Sequence, residues 1–174
     1  MSSSRPPYIL SAADVPEIEG RYEGSDEGQA YGRAIGRAAG LLRIGLHVER
    51  LPAGRRLSWP HAEEKEEEFV YVLEGEVEAW VDGYLHAMKR GDLAAFPAGT
   101  GICHTFINNG TEDAVLLVGG EAKKADNRIF YPQHAHRRMQ MPWSHWWDNA
   151  PLAPPGLHDG LPIAMRGEPD PEDP

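Results

Sequence analysis

The sequence predicts an all-β domain with irregular N- and C-terminal extensions, and three observations carry that prediction. Residues 41–118 form a close succession of short alternating or apolar runs separated by turn residues. Within that stretch no segment has the 3.6-residue period of an amphipathic helix. Proline (15) and glycine (19) are dense for a chain of 174 residues, which argues against a helix bundle.

Taken in order, residues 1–40 read as a loose or partly helical arm. Gly28, Gly32, Gly36 and Gly40 recur every four residues there. Each glycine costs about 1 kcal/mol inside a helix, so a smooth packing face is the lesser alternative. Leu42, Ile44, Leu46 and Val48 then alternate with Arg43, Gly45, His47 and Glu49, and Pro52-Ala53-Gly54 turns the chain. Phe69–Leu73 is an apolar strand closed by Glu74-Gly75. Val77, Ala79 and Val81 alternate with polar neighbours up to Asp82-Gly83, a dipeptide suited to a type I′ hairpin turn. Tyr84–Met88 returns, Arg90-Gly91-Asp92 turns again, and Leu93–Phe96 is a short strand. A loop over 97–101, a strand over Ile102–Ile107, a turn at Asn108-Asn109-Gly110 and a strand over Ala114–Val118 complete the set. Antiparallel strands at this spacing make a sandwich or small barrel. Residues 121–174 form a C-terminal extension ending in an acidic, proline-rich tail that reads as disordered.

Composition excludes several classes. The formal charge is −10, and neither nucleic acid nor an anionic membrane is bound without a basic stripe. No apolar run approaches the roughly 20 residues of a membrane span. MSSSRPPYIL lacks a secretory apolar stretch and Cys103 is the only cysteine, so a cytoplasmic protein without disulfides is expected.

Chemistry concentrates in the strand region. His61 and Glu63 are two apart and share a face on an extended strand. Glu68 opens the next strand and His104 lies on a later one. Imidazoles and carboxylates converging from separate strands suit Fe(II), Mn(II) or Zn(II). His61-Ala62-Glu63, Glu68 and Gly75, followed by Gly91, Pro97, Gly99, His104 and Asn108, resemble the paired motifs of the cupin family. Within it, Ser58–His61, Glu67–Gly75, Phe96–Asn109 and Gly119–Glu121 are similar to single-domain bacterial cupins described as sugar-phosphate isomerases. The resemblance covers about residues 41–120 and implies a double-stranded β-helix, the jelly-roll cupin barrel. It further implies a divalent metal (Zn, Fe(II) or Mn), a small-molecule substrate and a homodimer in which the arm and the strand at 41–50 supply a shared edge.

This chain departs from the family pattern in having Glu63 where the family has a second histidine, and in the loop lengths before His61 and His104. Glu63 is therefore either a fourth ligand beside His61, Glu68 and His104, or turned away, leaving a two-His, one-carboxylate triad. In an isomerase it is the candidate catalytic base.

The resemblance suggests a metalloenzyme acting on a small polar molecule, by isomerase, lyase or Fe(II) dioxygenase chemistry. The alternative is a non-catalytic ligand-binding or sensing cupin. Trp59 and Arg55 share strand parity with His61. On a regular strand Trp59 lines the pocket or packs in the core, and Arg55 meets an anionic substrate near the rim. His47 and His86 read as surface residues, Cys103 as a quiet buried thiol, and His134-Ala135-His136 as a solvated turn. Trp143, His145, Trp146 and Trp147 read as a cluster pinning the C-terminal segment to the barrel or to a partner; a lid over the barrel mouth is the alternative.

Overall fold

A computed structural model describes residues 5–134, 137 and 156–166. The strands in chain order are β1 (Ile18–Glu19), β2 (Tyr31–Arg33), β3 (Ile44–Leu51), β4 (Ala62–Glu63), β5 (Glu68–Glu74), β6 (Glu76–Val81), β7 (Tyr84–Lys89), β8 (Leu93–Phe96), β9 (His104–Ile107), β10 (Ala114–Glu121) and β11 (Ile129–Phe130). A four-residue helix, α1 (Ile35–Ala38), stands between β2 and β3. Among the described residues no helix is long and apolar enough to cross a membrane.

Every pairing among the described strands is antiparallel. A six-stranded sheet runs β1-β2-β3-β10-β5-β8, and a three-stranded sheet runs β7-β6-β9. Bridges from Arg56 to Ile107 and from His61 to His104 lay residues 56–61 beside β9, leading into the small β4–β11 sheet. The result is an all-β jelly roll. Leu51, Val70, Val72 and Leu116 from the larger sheet meet Val77, Ala79, Met88 and Phe106 from the smaller in one core. The Asp82-Gly83 turn has φ of 48° and 88° at its two residues, the doubly positive pair that a type I′ turn requires.

Three expectations are corrected. The arm is partly helical, through α1, but it is not loose: β1 and β2 extend the large sheet, and β2 pairs with β3 from Val48 to Arg50. An uncovered edge strand exposes unpaired backbone groups, and β2 supplies partners for Val48–Arg50 of β3 from within the chain. Its four-residue glycine series is not a helix face either. A side chain at Gly28 would meet the Arg55 guanidinium, at Gly32 the Glu49 carboxylate, and at Gly36 the Leu46 backbone; Gly40 ends α1 with φ of 87°.

The second correction concerns β3, where the apolar phase does not form the inner face. Ala114 and Leu116, both in the core, pair with Leu51 and Glu49, while Val118, packed against it, pairs with His47. Directly paired residues share a face, so His47, Glu49 and Leu51 form the inward row. Ile44 and Leu42 are exposed.

Third, residues 52–61 are not a regular strand but turn at several points, so the parity linking Arg55 and Trp59 to His61 is lost.

Candidate metal centre

Two backbone hydrogen bonds fix the histidines relative to each other. His61 N–H donates to the His104 carbonyl at 3.1 Å, and His104 N–H donates to the His61 carbonyl at 2.8 Å. This narrow pair sets the rings 5.0 Å apart at their centroids. Phe96, at the end of β8, stacks on His104 at 3.5 Å and 5°, holding its ring from one side. Each Nδ1 faces a backbone carbonyl, His61 that of Trp59 at 2.7 Å and His104 that of Ile102 at 3.3 Å. A carbonyl only accepts, so the ring proton sits on Nδ1 and the Nε2 lone pair points inward.

Glu68 enters between them from the first position of β5. Its Oε2 lies 3.2 Å from His104 Nε2 and 3.5 Å from His61 Nε2, yet this buried oxygen accepts no hydrogen bond. Three lone-pair donors, all within 4.8 Å of one another, converge with nothing positive between them. Leaving a buried carboxylate oxygen unsatisfied costs several kcal/mol. A divalent cation removes that cost, and two imidazoles with one carboxylate are a fitting donor set for Zn, Fe(II) or Mn. Without a cation the cheapest positive charge is a proton. Burial pulls the His61 imidazole down, but the adjoining Glu68 carboxylate outweighs it and holds the ring up at about 9. Burial lowers His104, and Glu68 does not fully offset it. Burial alone would raise Glu68, but contact with both imidazoles keeps it ionised well below the usual carboxylate range.

Glu63 stands beside this triad. Its Oε1 is 4.0 Å from His61 Nε2, and its Oε2 accepts a hydrogen bond from the Asn127 side-chain amide. Burial pushes its carboxyl up to about 7. Two neighbours in the run are paired elsewhere, Glu64 with Arg128 at 2.9 Å and Lys65 with Asp126 at 2.5 Å, whereas Glu66 lines the same small recess as Glu63, Glu68 and His104. The loop before β11 thus covers the run and delivers Asn127, which no sequence pattern indicated.

Trp59 and Arg55 are placed elsewhere. Trp59 is buried between the rings of Tyr22 and His134, stacked at 4.1 and 4.0 Å, and its Nε1 donates to Glu27 Oε2 at 2.9 Å. Its carbonyl accepts from His61 Nδ1 and orients that ring. Arg55 Nη1 pairs with Glu19 at 2.7 Å and donates to the Gln29 carbonyl at 3.0 Å. Its neighbour Arg56 is the buried one, 2% exposed. It grips Glu27 through Nε and Nη2 at 2.6 and 2.8 Å and donates through Nη1 to the Gly160 carbonyl at 2.9 Å.

Cys103 is fully buried on the far side of the strand from His104, in a cluster with Trp80, Ile107 and Phe130. Burial pushes its thiol up to about 12. His86 is exposed, and His47 is partly exposed, with Nδ1 3.4 Å from Glu49 Oε1. His136 and the Trp143, His145, Trp146 and Trp147 cluster lie outside the described residues, as does the acidic tail.

A cavity of about 240 Å³ opens on the inner side of the triad, lined by His61, Glu68 and His104 together with Gln29, Glu49, Ser58, Leu57 and Phe106, among others. Asn108, from the second motif, is structural: its Nδ2 donates to the carbonyls of Leu51 and Glu112 at 2.9 and 2.8 Å.

Comparison with known proteins agrees with this geometry. The family described as a cupin domain matches residues 47–120. A solved structure from Silicibacter pomeroyi, described as a sugar phosphate isomerase from a cupin superfamily, is 31% identical with a TM-score of 0.65, and the match covers 71% of this chain and 80% of that one. A presumed sugar phosphate isomerase from Acidithiobacillus ferrooxidans is 25% identical with a TM-score of 0.68, over 74% and 83% of the two chains. The polyketide cyclase RemF from Streptomyces resistomycificus is 21% identical with a TM-score of 0.59, over 78% and 94%, a likeness of fold alone. The curated proteins include no match to this chain.

Proposed function

Because the chain belongs to the cupin superfamily, we propose that it is a cation-dependent enzyme acting on a small polar hydroxycarbonyl compound, with isomerisation as its reaction class. The observation that carries this reading is the convergence of His61 Nε2, His104 Nε2 and the unsatisfied Glu68 Oε2 beside a cavity. The isomerase class is supported by what the two most identical of these structures are described as.

His61, Glu68 and His104 would hold the ion, and the Glu63 carboxylate lies 4.0 Å from His61 Nε2. A bound divalent cation would supply Lewis-acid polarisation of a substrate carbonyl. The chain's own part is positioning and proton custody. Phe96 and the Trp59 carbonyl keep the imidazoles in place. Glu63 has one oxygen tied to Asn127 and a carboxyl poised near neutrality, a state suited to taking a proton from one carbon and returning it to the next. The hydroxyl proton moves to the former carbonyl oxygen in the same exchange, so the isomerisation consumes no oxidant or reductant.

The test is elemental analysis of the purified, tag-free chain beside a folded His104→Ala variant, followed by an isomerase assay of the loaded protein with Glu63→Gln and Glu63→His. One equivalent of Zn, Fe or Mn, lost in His104→Ala, and turnover lost in Glu63→Gln are the expected results. A protein that folds normally and takes up no cation overturns the proposal. Turnover unchanged in both Glu63 variants removes Glu63 from the chemistry.

A further inference from the structure

The cavity beside the triad has a one-sided chemistry. Among the described residues no lysine or arginine lines it, whereas two carboxylates, Glu49 and Glu68, do. The arginines of β3 and of the segment after it are already engaged: Arg50 with Glu17 and Asp113, Arg55 with Glu19, and Arg56 with Glu27. His47, the basic neighbour of Glu49, is not part of the lining.

The arm adds the opposite kind of group. Gln29 is 7% exposed and lines the cavity, and its buried side-chain Nε2 donates to nothing. Its backbone is anchored at both polar groups. The N–H donates to the Gly20 carbonyl at 3.0 Å, and the carbonyl accepts from Arg55 Nη1 at 3.0 Å. Gly32 lacks a side chain where the Glu49 carboxylate sits, since a Cβ there would fall 2.7 Å from Oε1. Besides the triad, the cavity lining therefore presents one amide donor and one carboxylate acceptor.

Charge decides what such a lining accepts. A divalent ion on the triad balances Glu49 and Glu68, leaving the cavity neutral. A phosphate monoester brings close to two further negative charges at neutral pH into a space without a guanidinium, an ammonium or a helix N-terminus to receive them. A hydroxyl group suits Glu49 as acceptor, and a carbonyl or hydroxyl oxygen satisfies Gln29 Nε2. The volume is also below the roughly 300 Å³ at which pockets for drug-sized ligands begin. We infer that this cavity binds an uncharged hydroxycarbonyl compound of a few carbons, a free sugar rather than its phosphate ester, with Gln29 and Glu49 as its recognition residues. The inference rests on the proposed cation site, and it departs from the phosphorylated substrates that the structural relatives are described as using.

Calorimetric titration of the full chain, loaded with Zn²⁺ or Mn²⁺, with D-erythrose and D-xylulose and with the phosphate ester of each, tests it. At least one free sugar should bind, and its ester should bind at least about tenfold more weakly, the scale of one lost buried interaction. Gln29→Leu should weaken the free sugar about tenfold with cation content and melting temperature unchanged, and Glu49→Gln should narrow the gap between sugar and ester. If Gln29→Leu does not fold, Gln29→Asn, which shortens the donor, takes its place. An ester that binds as tightly as its sugar, no sugar bound at all, or variants without effect would overturn the inference. Elemental analysis of the same samples separates this outcome from failure of the cation reading. A chain that takes up no metal refutes the latter, and the sugar-to-ester comparison is then decided on the metal-free protein. Sugar bound without turnover refutes only the assigned reaction.

Discussion

Replacing Arg56 by Met should cost this protein more stability than any surface ion-pair change. Arg56 is 2% exposed, and its guanidinium meets both oxygens of Glu27, whose side chain is 12% exposed, at 2.6 and 2.8 Å. Methionine keeps most of the stem volume and removes the charge, leaving the Glu27 carboxylate with the Trp59 Nε1 donor at 2.9 Å and the Gly160 carbonyl without its guanidinium donor. Breaking a buried pair costs about 3–5 kcal/mol. The residual exposure of Glu27 and the Trp59 bond place this case near the lower end, about 3 kcal/mol. For a chain of this size 1 kcal/mol shifts the midpoint by about 2–4 °C, so the melting temperature should fall by about 6–12 °C. Urea unfolding followed by tryptophan fluorescence gives the free energy directly. The double variant Arg56→Met, Glu27→Met should recover much of the loss, because it leaves no uncompensated buried charge. A loss under about 1 kcal/mol for Arg56→Met, or a double variant worse than the sum of the singles, would refute the buried-pair account.

Other outcomes follow from the same geometry. Cation uptake should release protons at neutral pH and weaken on the order of tenfold per pH unit as pH falls below about 9, because His61, raised to about 9 by Glu68, must lose its proton before it can ligate; titration in weak buffer reads the protons. Acid should destabilise the protein as the depressed carboxylates Glu17, Glu19 and Glu27 are protonated. Their folded-state values lie below the ordinary 4.5, that of Glu19 at about 2, so their stabilisation is complete above about 4.5 and is lost as pH falls through the lower values; melting temperature against pH checks this. Cys103, buried and raised to about 12, should resist alkylation by iodoacetamide in the folded protein and react stoichiometrically in urea. Gly83→Ala should loosen the segment at 156–166, since a Cβ at Gly83 would fall 2.4 Å from the Gly156 backbone; proteolysis between 83 and 166 should accelerate at that segment.

Much of this molecule is readable from local pattern. The strands from 68 to 96 follow from alternation and from Asp82-Gly83, because a hairpin's register is set by its own turn. His61, Glu68 and His104 come together because their spacing matches a family motif whose strands the fold brings into one barrel. What escapes pattern is whatever a distant segment decides. β2 is only Tyr31–Arg33, too short and too rich in glycine to signal a strand, and it forms because β3 offers an edge. β3 turns its apolar phase outward because Leu51 and Glu49 are the residues paired with Ala114 and Leu116, and alternation alone cannot say which phase faces in. Trp59 left the cavity for the same kind of reason, since the turns between 52 and 61 cancel the parity that a regular strand would have kept.

This division bears on where specificity sits. The triad lies on strands whose positions the motif fixes, and it would serve any ligand with an oxygen to offer. Gln29 comes from the arm and Glu49 from the face of β3 that alternation assigned to solvent, so neither belongs to a motif. Both are held by contacts that must form together: Arg55 ties the Gln29 carbonyl and Glu19 at once, and Gly32 leaves the space that Glu49 fills. Substituting Arg55 by Met should therefore alter ligand affinity without changing cation content, although Arg55 does not line the cavity. Removing the guanidinium frees the arm that carries Gln29 and leaves His61, Glu68 and His104 in place. Paired measurement of metal stoichiometry and sugar affinity in Arg55→Met decides the point. Parallel loss of both would mean that the arm and the metal centre form one cooperative unit, and equal retention of both would mean that the arm needs no anchor to present Gln29.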